Sequence, residues 1–368
     1  MLKILYAGSP APAATTLRLL LEKCSQGQNA ANENGSQGQN AAASGDCSQG
    51  QKGGGWEIAG VLTNPPSAKG RHKELVPTDV GLLAQERGIP VFCPQKLDAA
   101  AREQIAAQGF DALVCFAYGK IFGPKFLSLF KAGGVNVHPS LLPKYRGATP
   151  VPAAILNCDK ETGVTVQTLA LGMDEGEILA QEIIALDGTE TTDSLLDKSA
   201  QIAAALLQSL LDKAAQNPGA DVLKKGKPQE GESSYTKTIS KEDALINWND
   251  SAKNIAAAVR AYTSEPGSWT RIGGEGGETL KILKAAPLGL ADDCGSQGQN
   301  AAAPLSLAND FASLPAGTVA AFDKKQGILI KCGQGVLCVT ELQRQQKKAM
   351  GYKDFMNGAR DFVGTRLF

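Results

Sequence analysis

The chain has 368 residues, 43% of them hydrophobic, and its 37 Lys and Arg balance 37 Asp and Glu. That length suits two domains or one large one, and a formal charge of zero advertises no nucleic-acid partner through bulk electrostatics. No apolar run reaches the ~18 residues of a membrane span, and Met1-Leu-Lys-Ile-Leu-Tyr-Ala-Gly8 is too short and too strand-like for a signal peptide.

In chain order, Leu2–Ala7 is an apolar strand closed by Gly8-Ser9-Pro10, and Ala13–Lys23 has a helical pattern. Trp56–Thr63 is a second strand, Thr78–Arg87 a helix ending at Gly88, Ile89–Phe92 a short strand and Leu97–Gln108 a helix. Asp111–Ala117 is a buried strand, Pro124–Phe130 a short helix and Val135–Val137 the next strand. Near-continuous apolar strands alternating with helices predict a Rossmann-like α/β domain, a parallel sheet covered on both faces. Ligands in such sheets bind beyond the carboxyl ends of the strands.

A helix from Pro150 to Asn157, strands at Thr162–Leu171 and Ile178–Ala185, and a long helix at Asp193–Ala215 complete a domain expected over residues 1–217. Residues 218–234 are polar and predict a linker. The second domain, 235–368, opens with a helix at Ser251–Tyr262. Five short strands follow, at Ser268–Ile272, Thr279–Ala285, Gly317–Asp323, Gly327–Cys332 and Gly335–Leu342. They predict a small β-barrel of the OB-like type, with a peripheral helix at Ala349–Ala359. Linker and second domain together, residues 219–368, carry 19 Lys and Arg against 16 Asp and Glu, which permits a polyanion partner without requiring one.

Two segments break the pattern. Residues 24–54 carry Ser-Gln-Gly-Gln three times and residues 294–303 carry it again, within an insert spanning about 291–310. The unit is small and polar, cannot bury a core, and predicts disordered loop insertions. The eight cysteines are scattered without a C-x-x-C pair, so no disulfide framework is expected and a reducing cytoplasm is.

Chemistry concentrates in Gly134-Val-Asn-Val-His-Pro-Ser-Leu-Leu-Pro-Lys-Tyr-Arg-Gly147, which holds one of only two histidines. Strand alternation puts Asn136 and His138 on one side. An amide can donate to a developing oxyanion and an imidazole can move protons, which suits acyl chemistry. Asp174, in the glycine-flanked run Leu171-Gly-Met-Asp-Glu-Gly176, is the carboxylate that would orient the imidazole. Spacing alone does not pair it with His138; taken singly, the three read first as a capping Asn, a loop His and a turn Asp.

The Asn-x-His-x-Ser-Leu-Leu-Pro run with its following Arg-Gly resembles the signature of the folate-dependent formyltransferases. Similarity runs from Ile4–Pro10 through Ala117–Ile121 and Leu171–Ile178 to Leu245–Trp248 and Lys347–Met350, nearly everything except the inserts. The linker and second domain resemble those of the members that act on methionyl-tRNA. The resemblance implies an enzyme and a soluble monomer, in which the methionine α-amine on initiator tRNA takes the formyl group of 10-formyltetrahydrofolate. It implies that Asn136 holds the formyl oxygen, His138 stabilises the intermediate, and Asp174 orients His138 or relays protons through water. Ser140, Leu141, Leu142 and Pro143 would line the folate site, with Tyr118 and Gly119 bordering the pterin pocket, and no metal is needed.

For tRNA, the resemblance implies contacts from Lys69, Arg71 and Lys73 in a basic loop and from Lys347 and Lys348, with Lys224, Lys225 and Lys227 as further candidates. Each is equally a solvated surface charge, and His72 is a polar loop residue. The chain departs from the family at Ser9-Pro-Ala-Pro12, at Pro66-Ser67 and at Glu341–Gln346.

A formyltransferase for a small amine, such as a sugar nucleotide or glycinamide ribonucleotide, is the competing enzyme. Its phosphate cradle is poorly served by Gly8-Ser-Pro-Ala-Pro12, whose prolines remove backbone donors. A formyl-folate hydrolase would share the triad and release formate. A dinucleotide-binding dehydrogenase needs G-x-G-x-x-G after the first strand, and Gly8 stands alone. A non-catalytic RNA-binding protein would not need the triad. Deleting residues 26–52 is expected to leave activity intact; a large loss of rate or of folding, read as a lower unfolding midpoint, would show that the insert is not passive.

Overall fold

Strand β1 (Leu2–Gly8) is buried from Ile4 to Ala7 on both faces, as a central strand of a covered sheet must be. In the computed structural model, which describes residues 1–32, 55–69, 74–263, 265–288 and 311–368, β1 pairs in parallel with β2 (Trp56–Leu62) on one side. On the other it pairs in parallel with β6 (Ala112–Phe116). Short β3 (Ser67–Lys69) and β4 (Glu74–Val76) form a separate antiparallel pair. Beyond β2 lies β5 (Val91–Phe92); beyond β6 lie β7 (Gly133–His138), β9 (Glu161–Thr168) and β10 (Ile178–Ala185). The sheet order is therefore β10-β9-β7-β6-β1-β2-β5. Strand order reverses between β1 and β6, which makes the crevice beyond Gly8 and Phe116 the topological switch point. Gly8 is required there: a Cβ would stand 2.8 Å from the Phe116 carbonyl oxygen.

The expected parallel arrangement holds over five strands and stops at β7. Strand β9 runs antiparallel to it, with His138 opposite Thr165 and Val135 opposite Thr168. The chain leaves β7 at His138 and re-enters the sheet at the same end, so no parallel crossover is made. Helix α1 (Ala11–Asn32) is longer than expected and runs through the first Ser-Gln-Gly-Gln copy, correcting the prediction that this copy is disordered. A helix already nucleated on a packed face extends at one bond per residue, and Ala and Gln accept it. The other copies lie outside the described residues.

Local signals set the helix starts. Thr78 accepts from the Gly81 N–H at the start of α2 (Asp79–Glu86), and Asp98 accepts from the Ala101 N–H at the start of α3 (Ala99–Ala106). Pro occupies the first turn of α4 (Pro124–Leu127) and α5 (Pro150–Leu156), where its missing N–H costs nothing. The long α6 spans Thr192–Gln216. No described helix is long and apolar enough to cross a membrane.

The chain forms two compact units. The first comprises Met1–Gly147, Gly163–Ile184 and Leu196–Tyr235; the second comprises Ala148–Thr162, Ala185–Leu195 and Thr236–Phe368. The polar segment 218–234 thus packs with the first unit. Two-residue strands β8 (Arg146–Gly147) and β11 (Tyr235–Thr236) lie at the boundaries.

The second unit is an antiparallel sheet of β12 (Trp269–Ile272), β13 (Glu278–Pro287), β14 (Val319–Asp323), β15 (Gly327–Lys331), β16 (Val336–Arg344) and β17 (Met350–Gly351). Five strands follow the order β12-β13-β16-β15-β14, and β17 pairs with β16. Residues 364–368 join its two edges. Arg271 on β12 and Phe368 exchange both main-chain hydrogen bonds, while Val319 on β14 donates to Thr365 and Leu367 donates to Gly317. The sheet is thereby curled into a small barrel. Helix α7 (Ala252–Ala261), capped by Ser251, packs Ile255 and Val259 onto Leu280, Ile282 and Leu342. Helix α8 (Tyr352–Asn357) is not peripheral as expected: Phe355 and Met356 are buried in the same core.

Leu367 is 2% exposed and belongs both to that core and to the closing segment. Leu367→Ala is expected to destabilise the second unit by about 2–5 kcal/mol, read as a lower urea midpoint; a shift under about 0.5 kcal/mol would show that packing of the closing segment does not hold the barrel.

Candidate active site

The site is built on the face that β7 and β9 share. Asn136 and His138 alternate onto one side of β7, and Asn136 lies directly opposite Gln167 of β9. The loop after β9 folds back over this face and brings Asp174 to it. Asp174 sits in the left-handed region (φ 54°), which Asp tolerates better than most residues. Gly176 closes the loop so tightly that a Cβ there would collide with the Thr168 carbonyl.

Three N–H groups donate to the Asp174 carboxylate. The Gly147 main chain reaches Oδ2 at 2.8 Å, Gln167 Nε2 reaches Oδ1 at 2.9 Å, and Asn136 Nδ2 reaches Oδ1 at 3.3 Å. His138 Nδ1 stands 3.5 Å from Asp174 Oδ2. On its other side, His138 Nε2 lies 2.8 Å from the Tyr145 carbonyl. A carbonyl only accepts, so Nε2 carries a proton and donates it. In the neutral ring Nδ1 is then a bare lone pair facing a carboxylate, a geometry that takes up one proton and shares it.

Burial is the largest influence on His138 and pushes its pKa below the usual 6.5, against the opposing pull of Asp174 and the Tyr145 carbonyl. The imidazole is therefore neutral at pH 7 and available as a base. Asn136 makes only a long bond to Asp174, leaving its amide free to shift to a substrate oxygen.

The other expected residues fall in different places. Ser140 is fully buried, donating to the Lys144 carbonyl at 2.6 Å, and Leu142 and Pro143 are buried with it. They shape the loop that presents Tyr145, while Leu141 is partly exposed. The Tyr118 ring is 1% exposed and stacks on Phe122 within the core, so only its main chain, whose carbonyl accepts from Asn64 Nδ2, and the exposed Gly119 border the strand end. Lys347 and Lys348 are exposed between β16 and β17. Lys69 ends β3, and Arg71, His72 and Lys73 lie outside the described residues.

Sequence reasoning missed Gln167, although the alternation Val164-Thr-Val-Gln167 places polar side chains on one face of an otherwise apolar strand. It also missed two exposed apolar side chains on the loop after β9, Leu171 and Met173, 70% and 60% exposed, beside Asp174.

The chain matches the formyl transferase family model over residues 32–211 and the formyl transferase C-terminal domain model over residues 238–360. It is 41% identical to a methionyl-tRNA formyltransferase of Treponema denticola over 84% of this chain and 91% of that one. It is 30% identical to that of Geobacter sulfurreducens over 100% of this chain and 96% of the relative. The chain belongs to the methionyl-tRNA formyltransferase family.

Solved structures agree at the level of fold. The sugar 3N-formyl transferase WlaRD, crystallised in the presence of dTDP and 5-N-formyl-THF, superposes with a TM-score of 0.52 at 16% identity, over 95% of this formyltransferase and 99% of that chain. HypX from Aquifex aeolicus, in complex with tetrahydrofolic acid, gives a TM-score of 0.51 at 15% identity over 76% of this chain. The formyltransferase spans less than half of the HypX chain, 44%.

If the neutral His138 acts as the base, the acid limb of kcat/KM should lie below pH 6.5. Asp174→Asn removes the charge that favours the imidazolium, so the limb should move to still lower pH as kcat falls; a limb moving upward in a pH–rate profile contradicts this assignment. The sign for stability is the same: the unfolded chain takes up a proton that the folded one resists, so stability declines as pH falls through about 6.5.

Proposed function

We propose that this enzyme transfers the formyl group of 10-formyltetrahydrofolate to the α-amine of methionine on initiator methionyl-tRNA. The observation that carries this is the Asn136–His138–Asp174 cluster in a chain of this family. An amide, a neutral base and a held carboxylate meet on one strand face, within the hydrogen-bond geometry given above.

The amine nitrogen forms a bond to the formyl carbon, and the carbonyl pair moves onto oxygen. Asn136 Nδ2–H donates to that oxygen, leaving its long bond to Asp174. The amine sheds a proton, which the His138 Nδ1–Asp174 pair receives directly or through water. Collapse of the intermediate breaks the bond between carbon and N10, and the proton passes to N10. One formyl group and one proton exchange places, with nothing oxidised or reduced.

Leu171 and Met173, exposed beside Asp174, offer apolar side chains to the flat ring system of the folate. Ser140 to Pro143 support that site by holding the loop of Tyr145, and Gly119 contributes main chain. The acceptor is tRNA through Lys69, Arg71 and Lys73 and through Lys347 and Lys348 of the barrel, as cations positioned on phosphate. The 41% identity to a methionyl-tRNA formyltransferase over 84% of the chain favours tRNA over a small amine. A cytoplasmic setting suits both translation and the free thiols Cys93, Cys115, Cys158, Cys332 and Cys338.

With charged initiator tRNA and 10-formyltetrahydrofolate, purified protein is expected to produce formylmethionyl-tRNA. Formylation of a small amine, or formate release without transfer, would overturn the proposal. Asn136→Ala should lower kcat by about 10²–10³-fold with little change in the KM for tRNA; unchanged kcat would exclude Asn136 as the oxyanion donor.

A further inference from the structure

The polar segment ahead of Tyr235 is bound to the catalytic loop rather than free of it. Ile178 and Lys227 exchange both main-chain hydrogen bonds, at 2.7 and 2.9 Å, and the Gly226 N–H donates to Glu177 Oε2 at 2.8 Å. The Tyr145 N–H donates to Ser234 Oγ at 2.9 Å and the Arg146 N–H to the Ser234 carbonyl at 2.8 Å. Between these anchors lies Gln229, partly buried. Its Nε2 donates to the Asp174 carbonyl and the Gly176 carbonyl, both at 2.8 Å, and stands 3.3 Å from Gln167 Oε1. Its Oε1 accepts from Arg146 Nε at 3.1 Å and from the Arg146 terminal nitrogen at 2.8 Å.

The orientation of this amide is forced. A guanidinium only donates, and the two loop carbonyls only accept, so turning the amide over would set donor against donor and oxygen against oxygen. Arg146 is itself held by Tyr235 Oη at 2.9 Å and Glu175 Oε1 at 3.4 Å. The two bonds from Gln229 bracket Asp174, one on its own carbonyl and one two residues on. Gln167 grips the same turn from the strand side, donating to Asp174 Oδ1 while accepting from the Gly176 N–H. Asp174 has a left-handed backbone, so its carboxylate direction depends on what pins the peptides around it.

We propose that Gln229 is a positioning residue for formyl transfer: clamped by Arg146, it fixes the main chain around Asp174 and thereby the carboxylate against His138. The inference rests on the proposed role of the His138–Asp174 pair. A displacement of about 1 Å at a reacting group costs on the order of 10²-fold in rate. Gln229→Met, which keeps length and removes both polar functions, is therefore expected to lower kcat by about 10–100-fold while each KM stays within a few-fold.

The chain has only two histidines, so side-chain ¹⁵N NMR isolates His138, with His138→Asn for assignment. Its imidazole resonances should move in Gln229→Met, a change that a remote packing defect would not produce. If Gln229→Met fails to fold by circular dichroism, Gln229→Glu replaces it. That variant keeps the acceptor for Arg146 but turns an oxygen on the two loop carbonyls, and the same fall in kcat and the same shift are expected. A full-length variant with wild-type kcat and unmoved His138 resonances overturns the inference. Absence of transfer by the wild-type chain would instead overturn the proposed reaction, and the resonance shift would still decide the role of Gln229.

Discussion

Everything at this site depends on holding one carboxylate still. Asp174 lies in a tight loop with a backbone conformation that costs free energy, and an unanchored loop of that kind would relax. It is kept in place by three N–H donors on its oxygens, from Gly147, Gln167 and Asn136. Those donors come from three separate stretches of chain, so the carboxylate is where the loop of Tyr145, strand β7 and strand β9 are brought into register. His138 is fixed by the same arrangement, because the loop that offers Gly147 to Asp174 also offers the Tyr145 carbonyl to Nε2.

In the proposed reaction, that arrangement lets a nearly buried imidazole act as a base at neutral pH. Burial alone would make protonation too unfavourable; the carboxylate and the carbonyl restore part of the affinity. The balance leaves Nδ1 empty in the resting enzyme and stabilised once it is charged, which is what a transient proton acceptor needs.

Much of this was legible in the residues. Strand period placed Asn136 and His138 on one face, and near-continuous apolar runs marked the central strands of the sheet. Glycine-separated β segments marked the barrel to within a few residues, because each is short and bounded by a turn residue. Asp174 could be attached to His138 only through the family resemblance, since a left-handed loop folding back over a sheet leaves no periodic trace. Gln229 and Arg146 lie 83 positions apart and meet through tertiary structure alone. The burial of the Tyr118 ring was not legible for a related reason: at a strand end an aromatic residue is equally able to turn into the core, and this one joins the stack of Phe122 and Phe126. The first Ser-Gln-Gly-Gln copy misled because composition describes a segment in isolation, whereas a docked helix can extend into it.

The closure of the barrel by residues 364–368 has a bearing on solubility. An open antiparallel sheet offers a row of unpaired amides and carbonyls on each flank, a template on which other chains can pair. Here one short segment serves both flanks of the second unit, bonding Arg271 on β12 and Val319 on β14. In the first unit, one edge strand, β5, is only two residues long, and the other, β10, is met at Ile178 by Lys227. In the second unit, backbone pairing thus occupies both flanks against strand addition, independently of net charge, in a chain whose formal charge of zero gives it no electrostatic repulsion to rely on.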